Sequence, residues 1–524
     1  MVRRRTRKIL IGSFRDLKSM RGVLAVMAAS TLAAAPSAQL EADPLPAPLT
    51  LTSVSEGEAA VRTRHESRIA GQRFAYTAEI GRLAIRAPET GEAQGYIGYV
   101  AYRVPSAGRP RPVTFVWNGG PGANSSLLHF STAGPKLAQG DRLIDNADSW
   151  LDATDLVMVD PVGTGFARVA KAEYADFFYG TRGDVASVAE FVRVWLLQQG
   201  AEAVPVFLAG ESWGAGRAAS VAHVLQSHGQ SIAGLVLISG GWALNTDFVS
   251  PNLRRALGLV DMSAVAHFHG LLSPELGRTL VEVQRAAEDW VRSVYAPALA
   301  RLDTLGDEER EQIAQMLARF SGLPVERIDR QRLEISPRQF RTQILASRGQ
   351  EAYVFDLRRT SPHGEPARAA ILHYLRNDLG FRSGLPYVGL EPLEHGFVAD
   401  GKTPQSVGAR WDYATAEVSP EQRRAAIAAA IASGSGPPQL GPPLPATLEA
   451  LAQNPAMRVL VVGGLYDSFR PCAIGEETAR RLPPTVSPSI RFKCYSGGHA
   501  MYQDTATRTE FARDLRRFFS GLWP

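Results

Sequence analysis

Gly210-Glu211-Ser212-Trp213-Gly214 constrains this chain more than any other stretch. Ahead of it runs Val204-Pro205-Val206-Phe207-Leu208-Ala209, a short apolar run that reads as a buried strand. Behind it, Ala215-Gly216-Arg217-Ala218-Ala219-Ser220-Val221-Ala222 reads as a helix. A serine between two glycines at a strand-to-helix junction makes a very tight turn. The glycines leave room for the serine backbone, and the hydroxyl is lifted above the sheet at the positive end of a helix. Such a turn asks for a sheet with helices packed against it.

The 524 residues are enough for one large domain with an insertion, or for two domains. The formal charge of +5 suggests an acidic partner, but it is concentrated at the start. Residues 1–22 hold eight basic side chains and a single acid, Asp16; without them the balance is −2. The body of the chain is close to neutral, and no nucleic-acid partner is expected. The basic start leads into Val23–Ala34, an apolar stretch too short to span a bilayer and of the right length for a signal-peptide core. Small residues follow in Ala35-Pro36-Ser37-Ala38, so residues 1–38 read as a signal peptide and 39–50, rich in Pro and Ala, as a linker. The expected location is outside the cytoplasm, periplasmic or extracellular. Export permits a disulfide between Cys472 and Cys494, the two cysteines; two unpaired core thiols fit the sequence equally well. No His or Cys stands at ligand spacing beside them, so no metal site is expected.

Apolar alternation in Phe74–Ile80 and Tyr96–Tyr102 predicts early antiparallel strands. Apolar runs then alternate with helical stretches, which predicts an α/β fold with a mostly parallel sheet. Its strands are expected at 112–117, 156–159, 204–208, 235–238, 458–464 and 490–495, with helices at 182–199 and 505–522. Between about 245 and 445 the rhythm breaks into helical stretches, including 280–320 and 421–431. This block is expected to be a helical cap inserted into a catalytic domain of residues 51–244 and 446–524.

A serine hydroxyl is a poor nucleophile until a base takes its proton, and the base is usually a histidine held by a carboxylate. Asp467 stands just beyond the strand 458–464, and His499 just beyond 490–495, in Ser496-Gly497-Gly498-His499. Both are therefore expected at the carboxyl edge of the sheet, beside Ser212. The order Ser, Asp, His is that of α/β-hydrolases. The negative oxygen of a tetrahedral intermediate needs backbone donors. Trp213, directly after the nucleophile, supplies one candidate N–H. Gly120 supplies the other, in the turn Asn118-Gly119-Gly120-Pro121-Gly122 after the strand 112–117. Trp242, Asn245 and Phe166 are open between lining a pocket and packing a core.

Together these segments resemble the serine carboxypeptidase family, the carboxypeptidase Y type and its bacterial relatives. Trp117-Asn118-Gly119-Gly120-Pro121-Gly122 is similar to the family's oxyanion loop, and Asp160-Pro161-Val162-Gly163-Thr164-Gly165-Phe166 to its second signature. The Ser212 segment resembles its nucleophile motif, and Gly497-Gly498-His499 its histidine motif. The resemblance implies an α/β-hydrolase fold, no cofactor, peptide substrates and the Ser212, Asp467, His499 triad. It further implies that Asn118, Gly119 and Glu211 bind the free C-terminal carboxylate of a substrate. In the family that Glu pairs with a second Glu, so that one carboxyl keeps its proton. Here Thr132 takes the second position, and Ala123 replaces a family cysteine. Without its partner Glu211 is expected to ionise more readily, unless burial or a Thr132 hydrogen bond keeps it neutral. The pH profile is expected to be flatter or less acidic than in the eukaryotic enzymes. Ester hydrolysis or acyl transfer on the same scaffold is the alternative. The sequence does not fix the oligomeric state.

Overall fold

Among the described residues twelve strands form, and continuous apolar runs become the most deeply buried of them. The computed structural model describes residues 59–522, apart from 107–109, 245–247, 364–366, 392–405, 416–417, 434–439, 441–446 and 470. The expected signal peptide and linker lie outside the described residues. The strands are β1 (Val61–Ile69), β2 (Gln72–Arg86), β3 (Ala93–Arg103), β4 (Val113–Trp117), β5 (Lys136–Gln139), β6 (Arg142–Asp145), β7 (Asp155–Asp160), β8 (Arg168–Val169), β9 (Val206–Glu211), β10 (Gly234–Ile238), β11 (Arg458–Gly464) and β12 (Ile490–Tyr495).

One mixed sheet runs β1-β2-β3-β7-β4-β9-β10-β11-β12, with β8 added on β3; β5 and β6 form a separate hairpin. From β7 to β12 every neighbour is parallel. The β1–β3 meander joins antiparallel to β7. Every residue of β4, β9 and β10 is buried. This is why they read as continuous apolar runs, whereas strands with one wet face alternate. β1 escaped the sequence reading because its inward positions include Thr63, His65 and Ser67, which give no apolar period. β9 runs farther than the apolar run suggested, because it pairs with both neighbours up to its end, where Glu211 faces Ile238 and Gly210 faces Trp117.

Helices Thr181–Gln199 and Trp213–Ser227 cover one face of the sheet. Helix Thr505–Phe519 covers the other. The inserted block divides. Helices Pro251–Phe268, Leu280–Trp290 and Asp307–Ser321 build a core of their own, closed by Leu465, Tyr466 and Cys472. Residues Ile371, Tyr374, Leu375, Tyr387 and Leu390 instead join the core beneath the sheet's second face. Cys472 and Cys494 form a disulfide with their Cα atoms 5.9 Å apart, which ties helix Cys472–Arg480 to β12. Bridging is thus the outcome of the two the sequence left open.

Candidate active site

The carboxyl ends of the parallel strands lie along one edge, where loops after β4, β7, β9, β10, β11 and β12 meet; in open parallel sheets this edge is the usual place for a site. Ser212 follows β9 directly and adopts φ 54° and ψ −124°, a strained conformation for a residue with a side chain. Its backbone N–H donates to Ile238 O at 2.8 Å, and helix Trp213–Ser227 starts at the next residue. Both flanking glycines are obligatory on steric grounds. A Cβ on Gly210 would stand 1.9 Å from Gly214 O, and one on Gly214 would stand 2.7 Å from Asn118 O.

His499 Nδ1 lies 2.7 Å from Asp467 Oδ2, and both residues are buried. Asp467 is set by its loop: Oδ1 accepts from Phe469 N at 2.9 Å. The two loops pack backbone on backbone, since a Cβ on Gly464 would come within 2.0 Å of Gly498 O. His499 N–H donates to Phe355 O at 2.6 Å, and His499 O accepts from Ser239 Oγ at 2.5 Å. Gly240, next to Ser239, lies against the elbow, because a Cβ there would be 3.3 Å from Ser212 O. The β10 loop therefore bridges the Ser212 and His499 segments.

Gly119 presses on the elbow from the β4 side. A Cβ there would lie 2.6 Å from Glu211 O, 2.7 Å from Trp213 N and 2.9 Å from Ser212 Cβ. Gly120 follows with φ 106°, joined to Pro121 by a cis peptide. The Gly119-Gly120 backbone and the Trp213 amide are thus close neighbours at Ser212, an arrangement able to place two N–H donors around one oxygen. Asn118 Oδ1 accepts from Leu128 N at 3.0 Å, and its carbonyl accepts from Arg217 at 3.0 Å. Arg217 Nε in turn donates to Asp184 Oδ2 at 2.6 Å in a fully buried ion pair between the two helices on that face.

Glu211 is buried beneath these groups. Asn118 Nδ2 donates to its Oε2, and the Tyr502 phenol donates to its Oε1 at 2.7 Å. Burial raises its pKa above the usual carboxylate range; His499 and the hydrogen bonds from Tyr502 and Asn118 oppose the rise, and Asp467 adds to it. Thr132 does not act as the sequence reading allowed. Its hydroxyl is buried with no hydrogen-bond partner. The turn His129–Ala133 that carries it packs instead against the Met501–Gln503 turn, and it is Tyr502 on that turn that reaches Glu211. Sequence reasoning missed Tyr502; its only signal was a tyrosine shortly after the candidate histidine.

Asp160 clasps the β4 loop from the β7 side. Its Oδ1 accepts from Ser125 N and Oγ, each at 2.7 Å, and its Oδ2 from the Tyr387 phenol at 2.8 Å. Gly165, with φ 50°, makes room for that carboxylate. Phe166 is core, packed on Phe381 and Tyr387. Asn245 lies outside the described residues. Among the described residues no cluster of three or more His, Cys, Asp or Glu is arranged to hold a metal.

The sequence model of the serine carboxypeptidase family matches residues 92–299. The pheromone-processing carboxypeptidase KEX1 of Verticillium alfalfae is 42% identical over 66 residues, 12% of this chain, and the match spans 10% of that relative's length. Among solved structures, the prohormone-processing carboxypeptidase Kex1(Δ)p from Saccharomyces cerevisiae aligns with a TM-score of 0.42 and 14% identity, covering 85% of this chain and 91% of its own. A thermostable carboxyl esterase from Bacillus coagulans aligns with a TM-score of 0.32 and 14% identity, covering 84% of this chain and 98% of its own.

Proposed function

We propose that this protein is an exported serine carboxypeptidase that removes C-terminal residues from peptides through an acyl-enzyme. The observation that carries the reading is a buried carboxyl with a raised pKa, Glu211, immediately before a strained Ser212 and hydrogen-bonded to Asn118. A protonated Glu211 donates a hydrogen bond to a substrate carboxylate, where an ionised one would repel it. Asn118 and Gly119 complete that subsite.

In this mechanism the Ser212 hydroxyl attacks the last peptide carbonyl while His499 Nε2 takes its proton. Asp467, at Nδ1, holds the ring in the tautomer that leaves Nε2 free to accept and stabilises the imidazolium. The Trp213 and Gly120 amides stabilise the oxyanion. The C–N bond then breaks, the departing amine takes the proton from His499, and water activated by the same histidine releases the acyl group. No cofactor enters these steps.

Export has its own support. The basic start and short apolar core suit a signal peptide, and the disulfide suits an oxidising compartment. Among the described residues no helix is long and apolar enough to cross a membrane.

The test is hydrolysis of an N-blocked dipeptide with a free carboxylate and of its C-terminal amide, with Ser212→Ala as control. Faster cleavage of the acid, lost in the variant, is the expected result. One observation favours the second reading, ester hydrolysis or acyl transfer: Thr132 stands where the resembling family has a second glutamate. That reading expects cleavage of the amide or ester alone.

A further inference from the structure

Two phenylalanine rings flank the His499 imidazole, and both are open to solvent. Phe469, two residues past Asp467, is 49% exposed, and Phe355, from the inserted block, is 42% exposed. Their ring centroids are 5.4 Å apart; that of Phe355 lies 5.4 Å from the imidazole and that of Phe469 5.6 Å. Tyr353 extends the patch, with its ring 5.6 Å from Phe355. Large rings left in water forgo the stabilisation that burial would bring, so an adjoining exposed pair marks a place for an apolar ligand.

The rings are also fixed in place. Phe355 O receives the His499 N–H at 2.6 Å, and Leu357 N–H donates to Tyr466 O at 2.9 Å. Ser468 Oγ donates to Val354 O. Arg358 pairs with Asp356 and Asp504, each at 2.6 Å. Gly498 lets this strap approach, since a Cβ there would stand 2.3 Å from Phe355 O. The segment is thus a strap over both catalytic loops, held by backbone bonds, the Ser468 hydroxyl and the Arg358 ion pairs, none of which uses the side chain at 355.

We propose that Phe355 and Phe469 form the subsite for the side chain of the substrate's C-terminal residue, and that they select an apolar, preferably aromatic, group. The inference rests on the carboxypeptidase reading. His499 hands its proton to the departing nitrogen, so the departing residue sits against the imidazole with its carboxylate toward Glu211 and Asn118. Its side chain then meets the two rings. An aromatic group stacks there and removes ring surface from water. An anionic one loses hydration and is repelled by the ring faces, and a cationic one loses more hydration than its attraction to the ring faces returns.

The experiment measures kcat/KM for N-blocked dipeptides that share a first residue and end in Phe, Leu, Ala or Lys. The enzymes are the wild type, Phe355→Ala, Phe355→Leu and Phe469→Ala. The wild type is expected to favour Phe over Ala by about tenfold or more, and each alanine variant to lose about tenfold of that preference. Phe355→Leu is expected to keep an apolar preference. The ratio is taken within each variant, so loss of folded protein or a displaced His499 cancels. An unchanged ratio in both alanine variants, or a wild-type preference for Lys, overturns the inference and leaves the carboxypeptidase reading standing. Wild-type cleavage of a p-nitrophenyl ester but of none of the four acids overturns that reading and the inference with it.

Discussion

The Tyr502 phenol donates a 2.7 Å hydrogen bond to Oε1 of Glu211. This bond stabilises the ionised carboxyl and so works against the burial that raises its pKa. Removing it in Tyr502→Phe leaves Glu211 protonated to higher pH. On the proposed mechanism the protonated form binds the substrate carboxylate. The pH at which KM for a free-acid dipeptide begins to climb should therefore shift upward in this variant. KM for the matching amide should show no such shift. Measured KM–pH profiles for both substrates check this, and an unmoved acid profile would show that Tyr502 does not tune Glu211.

Thr132 holds a buried hydroxyl without a partner. Thr132→Val keeps the shape and removes the unsatisfied group. Stability should stay level or rise by up to about 1 kcal/mol. KM for the free acid should not change; an increase would return Thr132 to carboxylate binding. Denaturant melts and steady-state kinetics on one preparation decide it.

On the proposed mechanism Asp467→Asn keeps the size of the side chain but no longer holds His499 in the tautomer that accepts from Ser212. A fall in kcat of about 10⁴ is expected, with little change in KM and none in the far-ultraviolet circular dichroism. A fall of less than about tenfold would move the supporting carboxylate elsewhere.

How much of this was visible in the sequence follows from what sequence patterns encode. The apolar run of β9 and the glycines around Ser212 are local, so the elbow and its strand could be read directly. Asp467 and His499 could be placed because Asp467 follows the continuous apolar run of β11 and His499 the alternating run of β12, both in a parallel sheet, which fixes the edge each reaches. Tyr502 and Phe355 carry no such mark. Their roles depend on which loop packs on which, and a single aromatic residue in a turn or a helical insertion has no period to betray it. The inserted stretches read as helical, but the sequence did not name what they pack against. That is why the division between a separate core around Leu257 and Leu317 and the sheet-packed residues around Tyr374 emerged only in three dimensions.

Glu477 anchors the helix after the disulfide to helix Leu280–Trp290 and its continuation. It accepts from Arg292 at 2.7 Å, and from Arg480 and Arg481. Burial alone would raise its pKa, but the three guanidiniums hold it at about 2, below its ordinary 4.5. A depressed pKa stabilises the fold above the unfolded value, and that contribution is lost as pH falls from 4.5 toward 2. Glu477→Gln should cost on the order of 2 kcal/mol at neutral pH, allowing for the half-exposed arginines. The gap in melting temperature between variant and wild type should narrow as the pH is lowered through this window. A gap independent of pH would show that the ion pairs contribute nothing.

On the proposed mechanism a protonated Glu211 recognises the substrate's C-terminal carboxylate. This recognition is tested most directly by KM for an N-blocked dipeptide acid and its amide, from acid to mildly alkaline pH, in wild type and Glu211→Gln. Wild-type KM for the acid should rise as pH passes above the ordinary carboxylate range while KM for the amide stays level. In Glu211→Gln, which cannot ionise but still donates, the rise should disappear. A rise that persists in the variant, or parallel behaviour of acid and amide in the wild type, would contradict that recognition.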